Sequence, residues 1–92
     1  MEVKEMKTYY IVEAFHDSGT FQVAIRESFE EAQNFLINYE THSWYGKGSG
    51  RINEYDQDMH LKKSHTFRNG MFTEGYDYDK KEPIKIVAIK QE

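Results

Sequence analysis

The chain has 92 residues, enough for one domain with a single core and little volume for a large buried active-site cavity. It contains no Cys, which excludes disulfides, Cys-ligated zinc and a thiol nucleophile. Its formal net charge of −4 argues against a general nucleic-acid binder, because such proteins usually carry an excess of basic residues.

The start of the chain is polar and charged. Residues 1–7 lack the apolar core of a signal peptide, so we expect a flexible N-terminus followed by a single α+β domain over residues 8–92. The longest apolar runs are too short to cross a bilayer. We therefore expect a cytoplasmic protein without a membrane partner.

Two strands are predicted before the first helix. Residues Thr8–His16 are aromatic and β-branched, which favours a strand near the centre of a sheet. A turn signal at Asp17–Gly19 follows, and Phe21, Val23 and Ile25 then alternate with less apolar residues. This alternation predicts a hairpin whose second strand places those three side chains on one face.

One amphipathic helix is predicted from Ser28 to about residue 40. Ser28 and Glu31 have the spacing of a capping box, in which each residue's side chain accepts the other's backbone N–H. The apolar residues that follow recur at helical spacing and comprise Phe29, Ala32, Phe35, Leu36 and Tyr39. A helix this short is marginal alone, so we expect this stripe to be buried against a sheet.

The second half of the chain predicts four further strands after a loop at 41–50. They cover residues 51–55, 60–67, 71–78 and 84–90, with a turn at 79–83. Asn69-Gly70 between two of them is a strong hairpin signal. The expected fold is α+β, with order β-β-α-β-β-β-β and a mostly antiparallel sheet of five to six strands. We expect the apolar first and last strands to be neighbours inside that sheet.

Four aspartates form two Asp-x-Asp pairs, at Asp56 and Asp58 and at Asp77 and Asp79. Each pair could chelate a divalent cation, but neither has the glycine and bidentate glutamate of a calcium loop. They are either solvated turn residues or an acidic face for a partner with a basic surface. The predicted partner-binding residues are Trp44, Tyr45, Asp56, Asp58, Tyr76, Asp77 and Asp79.

The glycine-rich segment 42–51 offers a second candidate site. Its glycines would let backbone N–H groups approach an anion, and Trp44, Lys47 and Arg51 could add a stacking surface and positive charge. The segment does not match a P-loop. The alternatives are a ligand or partner contact at these three residues and a loop whose Trp44 packs on the core.

No catalytic motif is present in the sequence. No serine lies in a nucleophile elbow, and the four histidines lack helical metal-ligand spacing. We expect a non-enzymatic protein without a cofactor or metal.

The short chain, rich in Lys, Glu, Asn and Tyr, resembles in composition the accessory proteins that phages and other bacterial mobile elements carry. That resemblance implies a protein that binds and inhibits a host enzyme or defence protein, here through an acidic-aromatic surface. If a phage encodes the chain, its expected location is the bacterial host cytoplasm. One alternative is a homo-oligomer that binds or sequesters a nucleotide through residues 44–51. Another is a single-stranded nucleic-acid binder, against which the acidic balance counts.

Overall fold

The fold is an antiparallel sheet with a helix on one of its faces. A computed structural model describes residues 7–40 and 44–84. The elements are β1 (Tyr9–His16), β2 (Gly19–Arg26), α1 (Phe29–Ile37), β3 (Gly50–Tyr55), β4 (Leu61–Arg68), β5 (Met71–Asp77) and β6 (Glu82–Ile84). The six strands lie in the order β2-β1-β3-β4-β5-β6. The predicted α+β class and chain order are therefore confirmed, and α1, at nine residues, is too short to cross a membrane.

The predicted position of the last strand is wrong. β1 pairs with β2 on one side and with β3 on the other, so neither of its edges is open to β6. β6 pairs with β5 at the far edge and already begins at Glu82, inside the predicted turn. The apolar character of β1 reflects its position under α1 between two strands. Residues 85–90 of the predicted last strand lie outside the described residues.

The helix begins where the sequence predicts. The Ser28 hydroxyl accepts the N–H of Glu31 at 3.1 Å, which satisfies one of the free donors of the first turn. The helix ends at Ile37 rather than near residue 40. The Asn38 side chain donates to the Asn34 carbonyl at 2.8 Å, and this bond closes the last turn.

The core lies between α1 and the middle strands. Ala32 and Leu36 are fully buried against Val12, Ile52 and Phe67. The predicted stripe is thus confirmed, but its centre is Leu36. Phe29, Phe35 and Tyr39 are only half-buried along its edges.

A β-bulge changes the direction of the side chains in β2. Val12 pairs with Ala24 and Glu13 pairs with Gln22, so Val23 is an extra residue between them. Because of this extra residue, side chains two or four positions apart across the bulge no longer lie on the same face of the sheet. Ile25 therefore points away from α1 and is 53% exposed, and the prediction that it shares a face with Phe21 is wrong.

The Asn-Gly hairpin is confirmed. Asn69 and Gly70 have φ values of 53° and 80°, and they connect β4 to β5. A two-residue turn with both φ angles positive matches the natural twist of an antiparallel pair.

The sheet has an outer face, opposite α1. Alternation and strand register place the outer-face residues in rows that cross the sheet. One row contains Glu13, Arg51, Thr66 and Glu74, and the next contains Ile11, Asn53, Ser64 and Tyr76.

Candidate functional site

Ser49 fixes the glycine loop, residues 44–50, to the rest of the fold. Its hydroxyl donates to the Tyr45 carbonyl at 2.9 Å and accepts the Asn69 N–H at 3.0 Å. Its carbonyl accepts the Phe15 N–H at 3.0 Å. Ser49 is only 1% exposed, and its partly buried bonds attach the loop to the β4–β5 turn and to β1.

The glycines of this loop allow close packing of backbone. The Gly48 N–H donates to the Tyr39 carbonyl at 3.1 Å, so it is not available to an anion. A Cβ at Gly50 would collide with the Glu13 carbonyl oxygen and lie 2.9 Å from Leu36 Cδ1. A Cβ at Gly48, where φ is 77°, would lie 2.8 Å from the Gly70 nitrogen, so close backbone packing accounts for glycine at both positions without an anion-binding role.

Trp44 lies on the surface, and the alternative in which it packs on the core is wrong. Its side chain is 81% exposed and stacks on Tyr45, with ring centroids 4.9 Å apart and planes inclined by 21°. Tyr45 takes the inner position, where its ring is 5.6 Å from that of Phe15. The Trp44 N–H donates to Asp17 Oδ1 at 3.3 Å, which ties the start of the loop to the β1–β2 turn.

Arg68 and Met71 extend this exposed surface. The Arg68 guanidinium lies 5.4 Å from the Tyr45 ring centroid and 5.7 Å from that of Phe15. Met71 is the strand partner of Arg68 and is 68% exposed. We call Trp44, Tyr45, Arg68 and Met71 the tryptophan patch. Aromatic residues, Met and Arg are the residue types enriched in protein–protein interfaces.

The three residues of the predicted ligand site are differently placed. Arg51 lies on the outer face, where its Nη1 is 3.0 Å from Glu13 Oε1 and its guanidinium covers Phe15. Lys47 is exposed in the glycine loop. A cavity of about 330 Å³ joins Tyr45, Arg51 and Arg68, whereas Trp44 and Lys47 are not among its described lining residues.

The first aspartate of each Asp-x-Asp pair holds a turn. Asp56 Oδ1 accepts the N–H groups of His60 and Asp58, both at 2.9 Å. Asp77 Oδ1 accepts those of Lys80 at 3.1 Å and Asp79 at 3.0 Å. These bonds lower the pKa of both carboxyl groups, the main cause being the N–H of His60 for Asp56 and the N–H of Lys80 for Asp77.

Lys62 joins the two acidic turns. Its Nζ lies 3.0 Å from Asp79 Oδ1 and 3.7 Å from Asp56 Oδ2, and the bond to Asp79 is the main cause of its raised pKa. The turns follow the C-terminal ends of β3 and β5, whereas the tryptophan patch lies at the other end of these strands. The six residues of β3 correspond to about 20 Å.

The predicted partner-binding residues therefore do not form one patch. Trp44 and Tyr45 are at one end of the sheet, and the four aspartates are at the other. Tyr76 lies on the outer face between them. Asp77 is buried and Asp79 is paired with Lys62, so the turns carry less free negative charge than the sequence indicates.

Ligand atoms of Asp56, Asp58 and His60 lie within 4.8 Å of one another. The sequence indicated Asp56 and Asp58 as a pair that could chelate a cation, but not His60, which a turn brings beside them. Asp56 already accepts two N–H groups and contacts Lys62, and exposed acids at turns commonly lie this close. The group is therefore accounted for as turn structure.

His65 is a second feature that the sequence did not indicate. Its ring lies 4.8 Å from Phe29 and 5.9 Å from Phe72, beside a groove of about 660 Å³ on the helix side of β4–β6. Its Nδ1 is buried and has no hydrogen-bond partner within the part of the chain that the structure describes. Burial is the main cause of its lowered pKa, to which Lys63 also contributes, and the ring is therefore neutral near pH 7.

Comparisons of the chain with protein-family models, with curated proteins and with solved structures find no match. The function is therefore inferred from the chemistry of the protein surface.

Proposed function

We propose that the protein is a non-enzymatic binding protein that docks on a partner protein through the tryptophan patch. The single observation that carries this proposal is the 81% exposure of Trp44 on a loop held by buried hydrogen bonds. An exposed apolar ring on a fixed loop loses little conformational entropy on binding. Trp, Tyr and Arg are also the residues that most often dominate binding energy.

The acidic turns give weaker support for a binding surface. Asp56 and Asp77 hold backbone N–H groups, and Lys62 neutralises part of the remaining charge. The tryptophan patch instead carries the cation Arg68, with exposed Lys47 in the same loop. The expected partner surface has an apolar recess for Trp44 and acidic groups beside it, in place of the basic surface expected from the sequence.

We further propose the biological role that the composition of the chain indicates. The protein would be a phage or mobile-element accessory protein whose docking blocks a host enzyme or defence protein. A small domain can inhibit by covering an active site or assembly surface, and this requires no catalytic residue of its own.

The test is a capture experiment from bacterial lysate, followed by titration with the purified partner. Trp44→Ala and Arg68→Glu are compared with Tyr78→Ala, which removes an exposed ring at the other end of the sheet. We expect a stoichiometric partner that the native protein and Tyr78→Ala bind equally. Trp44→Ala should weaken that binding by about 30-fold or more, the loss typical of a central interface tryptophan. Equal binding by Trp44→Ala, or recovery of a nucleotide without any protein, would contradict the proposal.

A further inference from the structure

The outer face of the sheet contains a shallow groove of about 550 Å³. Its floor includes Asn53 on β3 and Ser64 and Thr66 on β4, and Tyr76 and Tyr78 line its side. No residue of the tryptophan patch is among its described lining residues. Arg51 lines both this groove and the cavity beside Tyr45 and Arg68, so the two sites adjoin, but a ligand in the groove does not require the proposed function of the tryptophan patch.

Asn53 is the most buried polar residue in the lining of this groove. The residue is only 6% exposed, between its strand partners Ile11 on β1 and Ser64 on β4. Within residues 7–40 and 44–84, its side-chain amide makes no hydrogen bond, and it lines the groove. In those ranges the only sealed side-chain N or O atom without a partner is His65 Nδ1, so the Asn53 amide is open to solvent in the groove. An amide offers two donors and two acceptor positions, and a ligand in the groove would use them in place of solvent.

The polar groups of the floor define the chemistry of that ligand. The Asn53 amide and the Ser64 and Thr66 hydroxyls all both donate and accept hydrogen bonds. They therefore match ligand hydroxyl groups, which have the same double character, better than a phosphate, which only accepts. The nearby charges also disfavour an anion, because Arg51 is paired with Glu13 and the Glu74 carboxylate lines the groove.

The spacing of these groups indicates the size of the ligand. Asn53 and Ser64 are cross-strand partners, so their Cβ atoms lie about 5 Å apart. Ser64 and Thr66 are two residues apart along β4, which corresponds to about 7 Å. An area of this size is covered by one six-membered sugar ring with its hydroxyls.

The tyrosines supply the apolar contact that such a ring needs. Tyr76 is the strand partner of Ser64, so its ring borders the polar floor. Tyr78 meets it edge to face, with ring centroids 4.9 Å apart. The negative face of an aromatic ring attracts the weakly positive C–H groups that a pyranose presents on one side.

We propose that this groove binds one neutral hexose unit. The hydroxyls of the sugar pair with Asn53, Ser64 and Thr66, and its C–H face packs on Tyr76.

The proposal is tested by titrating ¹⁵N-labelled protein with the methyl glycosides of glucose, galactose and mannose, and with adenosine. We expect one glycoside to shift the amide signals of residues 53, 64, 66 and 76 in a saturable way. The Kd should be on the order of 1 mM, which is typical of so small a ligand. The absence of saturable shifts with all three glycosides would overturn the proposal, as would binding of adenosine alone in the groove.

Variants separate this site from the tryptophan patch. Tyr76→Ala and Asn53→Leu should each weaken glycoside binding by about tenfold or more. Asn53→Leu removes hydrogen bonds to the sugar hydroxyls, and Tyr76→Ala removes the ring on which the sugar packs. Trp44→Ala should bind the glycoside as the native protein does. If Asn53→Leu does not fold, Ser64→Ala takes its place, with weaker binding again expected. Native-like affinity in Tyr76→Ala would overturn the proposal whatever the outcome of partner capture.

Discussion

The hydroxyl of Ser49 accepts a hydrogen bond from the backbone N–H of Asn69, 3.0 Å away. This bond joins the glycine loop to the β4–β5 turn, although the two residues are 20 positions apart in the chain. The same hydroxyl donates to the Tyr45 carbonyl. The buried Ser49 therefore ties the backbone of Tyr45, on which Trp44 stacks, to the β4–β5 turn.

We predict that Ser49→Ala lowers the free energy of unfolding by about 1–3 kcal/mol, because it leaves a shielded N–H and carbonyl unsatisfied. Chemical denaturation measures this loss. Ser18→Ala, at an exposed turn, is the control and should change stability by less than about 0.5 kcal/mol. If the two variants are equally stable, Ser49 does not organise the loop.

The helix provides a second prediction, based on the difference between Leu36 and Phe35. Leu36 is fully buried, whereas Phe35 is half-buried beside Tyr39 and under the Arg26 guanidinium. Leu36→Ala should cost about 2–5 kcal/mol of unfolding free energy because it leaves a cavity. Phe35→Ala should cost less, about 1–2 kcal/mol, since part of its ring already contacts water. Thermal or urea denaturation of both variants checks the order, and a larger loss for Phe35→Ala would mean that the helix packs through a different face.

The third prediction concerns pH and His65. Because burial lowers its pKa below the ordinary value of 6.5, the unfolded chain takes up a proton before the folded protein does. The contribution of His65 is therefore fully present above about pH 7 and is lost as the pH falls through 6.5 towards the folded pKa. Asp56 and Asp77, whose pKa values are lowered from 3.8, lose their contributions only in more acidic solution.

Replacement of His65 by Phe should remove the loss of stability between pH 7 and pH 5. The measurement is urea denaturation of the native protein and of His65→Phe at several pH values. Parallel profiles for His65→Phe and the native protein would show that other groups cause the dependence.

Local signals in the sequence predicted the parts of the fold that short-range chemistry determines. Ser28 caps α1 through a residue three positions away, and Asn69-Gly70 forms a turn because of its own φ preferences. The bulge at Val23 and the place of β6 beside β5 were not predictable, since both depend on pairing with other strands.

The candidate site also depends on contacts between distant parts of the chain, which the sequence does not show. The sequence identified Trp44 as unusual, but its exposure depends on Tyr45 taking the inner position against Phe15. The Asp-x-Asp pairs were recognised as turn residues, whereas the salt bridge of Lys62 to both turns requires β4 and β5 to be paired. Alternation along β3 does not show that Asn53, on the outer face, is buried between its neighbours on β1 and β4.

The off-centre position of α1 has a consequence for the dynamics of the sheet. Within the described residues, α1 packs chiefly on β1, β2 and β3, while β6 is attached through three register pairs with β5. Amide hydrogen exchange should therefore be slowest in β1 and β3, where it requires global unfolding, and fastest in β6, where local fraying suffices. The half of the sheet under α1, to which the glycine loop is attached, should therefore be the more rigid, and the β5–β6 edge beside the outer-face groove should open more readily.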